Sequence, residues 1–576
     1  MNIKSWIYSN PLILGVIALA YLVLFAYPVS LQGIENIRVI EAFNVDEAEL
    51  VKYIRRAIQQ QSFGEIMHNY GYLYFYLGAA PLMVLNHFSP VTDTEIALVF
   101  RMLSSLFFLG SVTMTYIVGA YVFNKRIAFV SAGLLLVGSG LMYDASIAIH
   151  PNTSQLFFML CGFYFLYRFY FQKNPRDMML AAAMSGFAFS CNYSGILLIP
   201  FIIGAFLIQG RSYSWVTTKN WWAVFGYMAF ILFFINPFFL EDYFLPNIIG
   251  WISRILVVIL FGVTVLYTLY RVSYVLISQE IWGNKVIRQM DFLYLIGFVF
   301  WAAFVFSSPG AVYHLNFIDS FQKVIGLANV SELNTGWPQF SLWLQNLIEV
   351  EYIGGAFIPV MAIWSFPIIW YFRKSLLKTY FPIWIWLLFF FTAIVVLIKP
   401  EYILYMLPLI PFLILLAVFT AEFLISKYGL KWPGLFPFSV VLILVMGIYF
   451  VGKRKTQYLR YANKENDPRM VVGDYLSANF ETYTRILTDQ YVYVPPKLKE
   501  VDFSWGFTDT QLDSAEVVVI NKKMYLKYLT PDRQIKRELS PEEHDIARNY
   551  ARILFETPPW RRTYIWGGIE VFVKNN

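Results

Sequence analysis

The sequence predicts a polytopic α-helical membrane protein with about 13 transmembrane helices and a C-terminal extracytoplasmic small α/β domain. The composition is 58% hydrophobic and only 14% charged, which excludes an ordinary soluble protein. Apolar runs of about 17 to 25 residues recur over roughly the first 450 positions, and each can cross a hydrocarbon core of about 30 Å. The pattern stops there, so we divide the chain into a membrane domain, residues 1–452, and a tail domain, residues 453–576.

The first apolar run, Pro11 to Tyr27, is predicted to be a retained span rather than a signal peptide, because no small-residue cleavage site follows it. Both cysteines, Cys161 and Cys191, lie in apolar segments, so no disulfide framework is expected. The net charge of +7 is spread over many loops, and no nucleic-acid-binding motif is present. The charge therefore informs the topology, and a nucleic-acid partner is not expected.

Basic loops mark the cytoplasmic side, and clear clusters lie at 124–126, 168–176 and 211–219. The tip at 143–152 must then face outside, and residues 31–99 form the first external loop. Within that loop the apolar stretch from Tyr72 to Phe88 is expected to be interfacial or re-entrant, since a full crossing would break the parity. A second external, soluble loop is predicted at 309–352. Crossings are predicted near 11–27, 100–122, 127–143, 153–170, 178–191, 194–210, 221–240, 246–272, 292–308, 353–372, 381–398, 402–425 and 436–451.

The tail domain carries signals of both helices and strands. Asp467-Pro468 and Ser540-Pro541 pair a capping residue with a proline, which predicts helix starts. Runs rich in β-branched residues at 485–488, 517–520 and 564–573 predict short strands.

Polar residues that are unusual in a membrane protein fall mostly at the predicted outer face. Because charge in or beside a bilayer is costly, their concentration on one face suggests a shared site. These residues are Asp46, Glu47, Arg55, Arg56, His68, Arg101, Asp144, His150, Asn152, His314, Lys399 and Glu401.

The pair Asp46-Glu47 opens a charged, helix-like stretch shortly after the first span. A carboxylate can deprotonate an attacking group, while Lys52, Arg55 and Arg56 neutralise a departing phosphate. The alternative is that these basic residues are only the solvated side of an interfacial helix.

Two further places admit both a functional and a structural interpretation. Asn152 follows His150-Pro151 at the start of a span, where it is also a natural helix cap. Lys399, near Tyr402, is placed either to contact a phosphate or to act as a snorkelling anchor. The lone Arg254 lies inside a predicted span, and its partner cannot be read from the sequence.

The chain has no glycine-rich nucleotide loop and no Cys/His metal spacing, so an activated donor would have to be carried in the membrane. Asp46, Glu47 and Asp144 have the ligand chemistry of a divalent-cation site, but carboxylates alone leave metal dependence open.

In order along the chain, several short segments resemble the GT-C superfamily of polyprenyl-phosphate-sugar-dependent membrane glycosyltransferases, which includes the protein O-mannosyltransferases and the lipid A aminoarabinose transferase. The similar segments are Asp46-Glu47-Ala48, the tyrosine-rich run from Tyr70 to Tyr76, Arg101 to Ser105, His150-Pro151-Asn152, Asn236-Pro237-Phe238, and Tyr405 to Pro411.

The resemblance implies that Asp46 is the general base, with Glu47 beside it. The chain departs from the family twice: Pro151-Asn152 stands where Pro-Asp is frequent, and Asn192 stands near a position that is often lysine. Phosphate binding would then rest on other basic residues. The expected substrate-binding residues are Lys52, Arg55, Arg56, His68, Tyr70, Arg101, Asp144, His150, Asn152, Lys399 and Tyr402.

The resemblance thus implies an inverting glycosyltransferase that takes a sugar from a polyprenyl-phosphate carrier at the outer face of the membrane. The compact loops favour a bacterial inner membrane, with an archaeal membrane as the alternative. The acceptor class (lipid, glycan or protein) and the sugar stay open. The alternatives are a transporter or flippase of lipid-linked sugars and a catalytically inactive homologue. Transporters place their polar residues near the midplane on repeated halves, a pattern that this sequence lacks.

Overall fold

A computed structural model describes the parts of the chain that carry most of the predicted elements. They are residues 15, 19–23, 27–31, 38–40, 45–60, 71–209, 284–308, 337–348, 356–372, 377–397, 403–427, 445, 449, 452–453, 467–490, 492–504, 506–529, 541–556 and 559–575. Outside these ranges lie His68, Tyr70, Arg254, His314, Lys399, Glu401 and Tyr402, together with the segment Asn236-Pro237-Phe238 and the predicted helix-start residue Ser540. The predicted crossings at 221–240 and 246–272 also lie outside them, as does the crossing at 436–451 except for residues 445 and 449.

Helix α1 (Tyr27–Ser30) precedes the predicted first external loop, which contains α2 (Val45–Gln60) and α3 (Leu73–Asn86). Helix α2 is amphipathic: Ala48, Val51, Ile54 and Ile58 recur at helical spacing and are buried. Helix α3 has 14 residues and is about 21 Å long, too short to cross a bilayer core of about 30 Å. This length agrees with an interfacial or re-entrant helix.

The membrane domain continues as a bundle of helices. Within the described residues, two helices are long and apolar enough to cross a membrane, Asp93–Val122 and Leu404–Lys427, and a bent pair makes a third if it is one span. The count of about 13 therefore stays a prediction. The helices are α4 (Asp93–Val122), α5 (Lys125–Gly138), α6 (Gly140–Ile147), α7 (Asn152–Gln172), α8 (Pro175–Cys191), α9 (Ile199–Gln209), α10 (Asn284–Ser307), α11 (Trp337–Ile348), α12 (Phe357–Phe372), α13 (Leu377–Leu397) and α14 (Ile410–Lys427), with 3-10 turns at Tyr193–Leu198 and Ile403–Leu409.

The predicted crossing at 127–143 is interrupted. Ser139 ends α5 and caps α6, its hydroxyl accepting from the Met142 amide, and the two helices differ in direction by 62°. Asp144, expected in a loop tip, therefore lies within helix α6. The sequence prediction was wrong here because a serine cap inside an apolar run leaves the hydrophobic pattern unchanged.

The predicted cytoplasmic loops come together at one end of the bundle. Arg126 pairs with Glu422 near the end of α14 (3.4 Å), and Gln172 donates to the Tyr121 hydroxyl (3.3 Å). Lys427 lies over the Phe372 ring, 2.8 Å from its centroid. Arg101 lies towards the other end of α4, and the 148–151 tip precedes the other end of α7, away from these loops. The topology prediction requires this separation.

The second external loop is not wholly a soluble segment. Its described part is helix α11, and Trp343 in this helix is completely buried in the hydrophobic core of the membrane domain. The sequence 337–348 was taken for soluble because it follows a polar turn, yet its apolar side chains pack on α12 and α13.

The tail domain has three layers around a five-stranded sheet of order β2-β1-β3-β5-β4. Strand β1 is parallel to β2 and β3, whereas β5 is antiparallel to β3 and β4. Helix α15 covers one face, and helices α16 to α18 cover the other. The bounds are α15 (Pro468–Asn479), β1 (Ile486–Asp489), β2 (Val501–Ser504), α16 (Asp509–Ser514), β3 (Val517–Asn521), α17 (Lys522–Leu529), α18 (Pro541–Phe555), β4 (Trp560–Trp566) and β5 (Ile569–Lys574).

Two predicted strands are found in this sheet, and the third was wrong in form. The run 564–573 is not one strand but the end of β4, a tight turn and most of β5, because Gly567 and Gly568 adopt positive φ angles of 55° and 86° and reverse the chain. Strand β2 was missed because its alternating Val-Asp-Phe-Ser is short and half-polar. Asp467 caps α15 as predicted, accepting from the Arg469 amide (2.9 Å).

The first external loop and the tail domain are in direct contact. The Arg38 guanidinium donates to the backbone oxygens of Val494 (3.3 Å), Pro495 (2.8 Å) and Leu498 (2.8 Å). Val39 packs beside Met470 and Tyr493. We call this set of contacts the Arg38 clamp.

Candidate functional site

Helix α2 begins at Val45 and places Asp46 and Glu47 in its first turn. Glu47 forms a two-pronged ion pair with Arg101 of α4: Arg101 Nε donates to Oε1 (2.6 Å), and a terminal nitrogen donates to Oε2 (3.0 Å). Both side chains are buried, with 4% and 9% of their surface exposed. This pair joins the first external loop to the membrane bundle.

The same carboxylate also holds the tip between α6 and α7. Glu47 Oε1 accepts the backbone amide of Ile149 (3.2 Å), so one side chain links three separate segments. Arg–carboxylate pairs of this geometry fix orientation as well as distance. Asp46, the residue before Glu47, is thereby held at the junction of α2, α4 and the tip.

Serines of α4 complete this junction. The Ser104 hydroxyl lies beside the backbone of His150 (3.4 Å to its amide), and the Tyr74 hydroxyl bonds Ser104 (2.7 Å). Ser105 donates to the Ser146 carbonyl oxygen (2.6 Å). The tip is therefore attached to α4 on both sides of Ala148.

His150 lies in this tip, outside the helices that flank it. Burial lowers its pKa to about 4, so the imidazole is neutral at pH 7. Its Nδ1 accepts the Asn152 backbone amide (3.3 Å), as the neutral ring permits. A neutral, buried imidazole that accepts a local hydrogen bond is suited to shaping the site rather than to carrying a positive charge.

Asn152 does not cap α7, as the sequence suggested. Pro151 is the capping residue, and Asn152 is the first helical residue. The interpretation as a cap was wrong because Asn152 is drawn into a long-range contact: its Oδ1 accepts from Asn192 Nδ2 (2.7 Å). Both asparagines are almost completely buried.

The basic residues of α2 have partners close by. Lys52 bonds Glu49 (3.1 Å), Arg55 pairs with Asp93, and the exposed Arg56 lies over the Tyr53 ring at 5.8 Å. Arg55 and Lys52 are more than one-third exposed, so these pairs contribute little to stability. Lys52 and Arg55 are partly buried and Arg56 is exposed, so these side chains can exchange partners at low energetic cost.

Asp144 occupies a different neighbourhood from Glu47. It is near the Tyr21 phenol of the first span, which bonds the Ser146 hydroxyl (3.2 Å). Among the described residues, no group of three His, Cys, Asp or Glu side chains could hold a metal ion. The described part of the site therefore assigns no metal ligands.

Sequence reasoning did not select several residues that build this site, although Tyr74, Ser104 and Ser105 lie in the segments that resemble the family. Ser104, Ser105 and Tyr74 hold the tip, while Gln155 and Ser194 extend the asparagine pair. These residues are visible in the sequence as small polar residues inside apolar runs. Their hydrogen-bond partners lie 30 to 41 positions away, so a single sequence does not show which residues pair.

Comparison with known families identifies one match within the membrane domain. Residues 88–239 match the family model of dolichyl-phosphate-mannose-protein mannosyltransferases. This segment contains Arg101, the tip and the Asn152–Asn192 pair. No curated protein matches the chain in sequence.

Solved structures give weaker likenesses. The oligosaccharyltransferase of Archaeoglobus fulgidus, crystallised with zinc and sulfate, aligns over 98% of this chain and 73% of its own, with 13% identity and a TM-score of 0.46. ArnT from Cupriavidus metallidurans aligns over 97% of both chains, bound to undecaprenyl phosphate (11% identity, TM-score 0.44) or in the apo state (12% identity, TM-score 0.45). TM-scores below 0.5 do not by themselves establish a common fold.

The family match falls on the part of the chain that carries the tip and its arginine partner. It includes two of the segments from which the resemblance was first drawn, Arg101 to Ser105 and His150-Pro151-Asn152. It confirms the predicted resemblance to the GT-C superfamily of membrane glycosyltransferases, with residues 88–239 as the matching segment.

Proposed function

We propose that this protein is a membrane glycosyltransferase that transfers a sugar from a polyprenyl-phosphate carrier to an acceptor at the outer face of the membrane. The observation that carries the proposal is the junction of α2, α4 and the tip, which Glu47 holds together. Helix α4 and the tip lie within the segment similar to mannosyltransferases, and Glu47 lies before that segment in the chain. The donor class follows from the same match, since dolichyl phosphate is a polyprenyl phosphate.

The geometry favours different roles for the two neighbouring carboxylates. Glu47 is engaged by Arg101 and Ile149, so it is a positioning residue. Asp46 is then the general base. In the proposed single displacement, Asp46 accepts the proton of the acceptor hydroxyl, and the acceptor oxygen bonds the anomeric carbon. The bond from that carbon to the phosphate oxygen breaks, and the carrier phosphate leaves with the electron pair.

The phosphate needs no acid catalyst, because it leaves as a stable anion. Lys52, Arg55 and Arg56 supply positive charge on the same helix as Asp46. Inversion at the anomeric carbon is the expected outcome of one displacement with one base. The bacterial inner membrane is the proposed location, with the tail domain outside the cytoplasm.

The proposal predicts that Asp46→Asn abolishes transfer while the fold is retained. General-base catalysis typically contributes about 10²–10⁴-fold, so at least a hundredfold loss in kcat is expected. The assay presents purified protein with a panel of radiolabelled polyprenyl-phosphate sugars and candidate acceptors. Glu95→Gln is the matched control, because this exposed residue accepts hydrogen bonds from Thr92 that glutamine also accepts.

The same assay separates the proposal from its rivals. If Asp46→Asn transfers sugar as fast as the wild type does, Asp46 is not the general base. A wild type that binds or translocates these lipids, yet transfers no sugar to any acceptor, would instead indicate a transporter or an inactive homologue.

A further inference from the structure

The two places where this chain departs from the family pattern are in contact. Asn152, which stands where an aspartate is frequent, accepts a hydrogen bond from Asn192, which stands near a frequent lysine. The Nδ2–Oδ1 distance is 2.7 Å, and both residues are at least 98% buried. A neutral pair of amides thus occupies a buried position, with no charge to compensate.

The orientation of both amides is fixed by a backbone group. Asn192 Oδ1 accepts the Ser194 backbone N–H (3.1 Å), which can only donate. Asn192 must therefore turn Nδ2 towards Asn152, and Asn152 must turn Oδ1 towards Asn192. Flipping either amide would break one of these bonds.

The result is a hydrogen-bond chain that runs in one direction. Gln155 Nε2 donates to Ser194 Oγ, and the Ser194 hydroxyl donates to Asn192 Oδ1 (3.2 Å). Asn192 then donates to Asn152, whose own Nδ2 is buried and finds no acceptor among the described residues. Buried amide donors are nearly always satisfied, so this one calls for a partner.

The position of this donor connects it to the site. Asn152 is the first residue of α7 and follows Ile149, the residue whose amide binds Glu47, by three positions. The N-terminus of a helix also favours oxygen-bearing, negatively charged groups. The adjacent His150 ring accepts from the Asn152 backbone amide, so it does not compete for Nδ2.

We propose that Asn152 Nδ2 is a binding group for an oxygen of the lipid-linked donor, either a phosphate oxygen of the carrier or a hydroxyl oxygen of the sugar. The inference rests on the proposed function and deepens it. The Asn152 Nδ2 group can donate a hydrogen bond to neutral and to anionic oxygens, but it cannot pair with an ammonium group. The Asn152–Asn192 pair thus selects substrates with an oxygen at this position.

The test is Asn152→Asp, which keeps the shape of the side chain and its role as the acceptor of Asn192 Nδ2 but removes the free donor. Binding of polyprenyl monophosphate and of polyprenyl-phosphate-mannose is measured by titration of the full-length protein in detergent. We expect the dissociation constant to rise at least tenfold. A rise for both lipids identifies a phosphate oxygen, and a rise for the sugar-bearing lipid alone identifies a hydroxyl.

A second variant, at Asn192, occupies Asn152 Nδ2 without changing Asn152 itself. Asn192→Asp keeps the bond from the Ser194 amide but offers only oxygen to Asn152, so the Asn152 amide turns and gives its Nδ2 to position 192. We expect the same loss of binding. Asn174→Asp is the control, because Asn174 only caps α8 by accepting the Arg176 amide, which aspartate also does.

A charged pair provides a rescue. Asn152→Asp combined with Asn192→Lys is expected to recover phosphate binding relative to Asn152→Asp alone, since an ammonium can bond the aspartate and still present further donors.

The inference is overturned if both single aspartate variants bind both lipids as the wild type does, or if the wild type binds neither. Should Asn152→Asp fail to fold, Asn192→Asp decides. Wild-type binding that weakens in these variants, without any sugar transfer, would sustain this inference and contradict the proposed activity.

Discussion

At the scale of single residues, Glu47 and Arg101 show how the site is held. Both side chains are buried, so each charge needs the opposite charge of its partner beside it. Sequence reasoning selected both residues as chemically active, because charge at a membrane face is rare. It could not show that they bind each other, since 54 positions separate them along the chain.

Glu47→Ala is expected to destabilise the protein by about 3–5 kcal/mol, because it leaves the Arg101 guanidinium buried without its carboxylate. The double variant Glu47→Leu with Arg101→Met should lose less than either single variant, since no buried charge remains. Denaturant unfolding in detergent measures both. Losses that simply add would show that the pair is not coupled.

A second residue-scale prediction concerns Asp489 at the end of β1. Its carboxylate accepts from the Asn521 amide (2.7 Å) and from the Tyr550 hydroxyl. Burial raises the pKa of Asp489 to about 7, and these hydrogen bonds only partly offset that rise. Between pH about 4 and 7 the folded domain therefore holds a proton that the unfolded chain has released.

The free energy of unfolding of the tail domain should consequently fall as pH rises through this window, by on the order of 4 kcal/mol, and level off above it. Asp489→Asn should abolish this dependence. Hydrogen exchange of residues 486–489 in the full-length protein, corrected for the intrinsic exchange rate, provides the measurement. The control Asp502→Asn, at an exposed position of β2, should keep the wild-type dependence; an unchanged profile in Asp489→Asn would exclude this residue as its source.

At the scale of elements, the close approach of helices depends on small residues. Helix α8 packs on α10 through Gly186, where an added Cβ would lie 2.3 Å from the Phe300 carbonyl oxygen. Two helix boundaries likewise depend on a single small or polar residue: Ser139, which divides α5 from α6, and Asn192, which ends α8. All are small residues in apolar runs, and hydropathy does not distinguish them from ordinary positions of a span.

Gly186→Ala should therefore destabilise the helix pair by about 1–3 kcal/mol, because backbone must move to admit one methyl group. Gly204→Ala is the matched control: Gly204 lies in α9, and among the described residues no heavy atom outside the helix's own backbone lies within 4 Å of its added Cβ. The control should be neutral or stabilising by up to about 1 kcal/mol through its helix propensity. Thermal unfolding in detergent compares the two, and equal midpoints would contradict the packing argument.

At the scale of the whole molecule, the Arg38 clamp sets the relation between the two domains. The clamp requires the first external loop and the tail domain to lie on one side of the membrane, so an even number of crossings must separate them. The predicted arrangement, with one crossing before Arg38 and the others after it, meets this condition. Hydrophobic periodicity and basic loops predict this arrangement from the sequence, whereas the clamp itself joins an arginine to backbone oxygens and leaves no pattern in the sequence.

Arg38→Met should loosen the tail domain without unfolding it. Hydrogen bonds from a charged donor contribute about 1.5–3 kcal/mol each, so exchange at residues 492–498 should accelerate tenfold or more. Exchange at β1 and β3 should not change. Arg485→Met is the control, because its ion pair with Glu500 is exposed. Equal protection of residues 492–498 in wild type and Arg38→Met would mean that other contacts hold the domains together.

The clamp also has a consequence for how the protein is made. Arg38 leaves the ribosome long before its acceptors, which lie 456 to 460 residues further along the chain. At about 5–20 residues per second, the interval is on the order of half a minute to a minute and a half. During that time Arg38 has already been synthesised, but the backbone oxygens that it binds do not yet exist. The clamp is therefore completed last, when synthesis of the tail supplies the carbonyl groups that the Arg38 guanidinium binds.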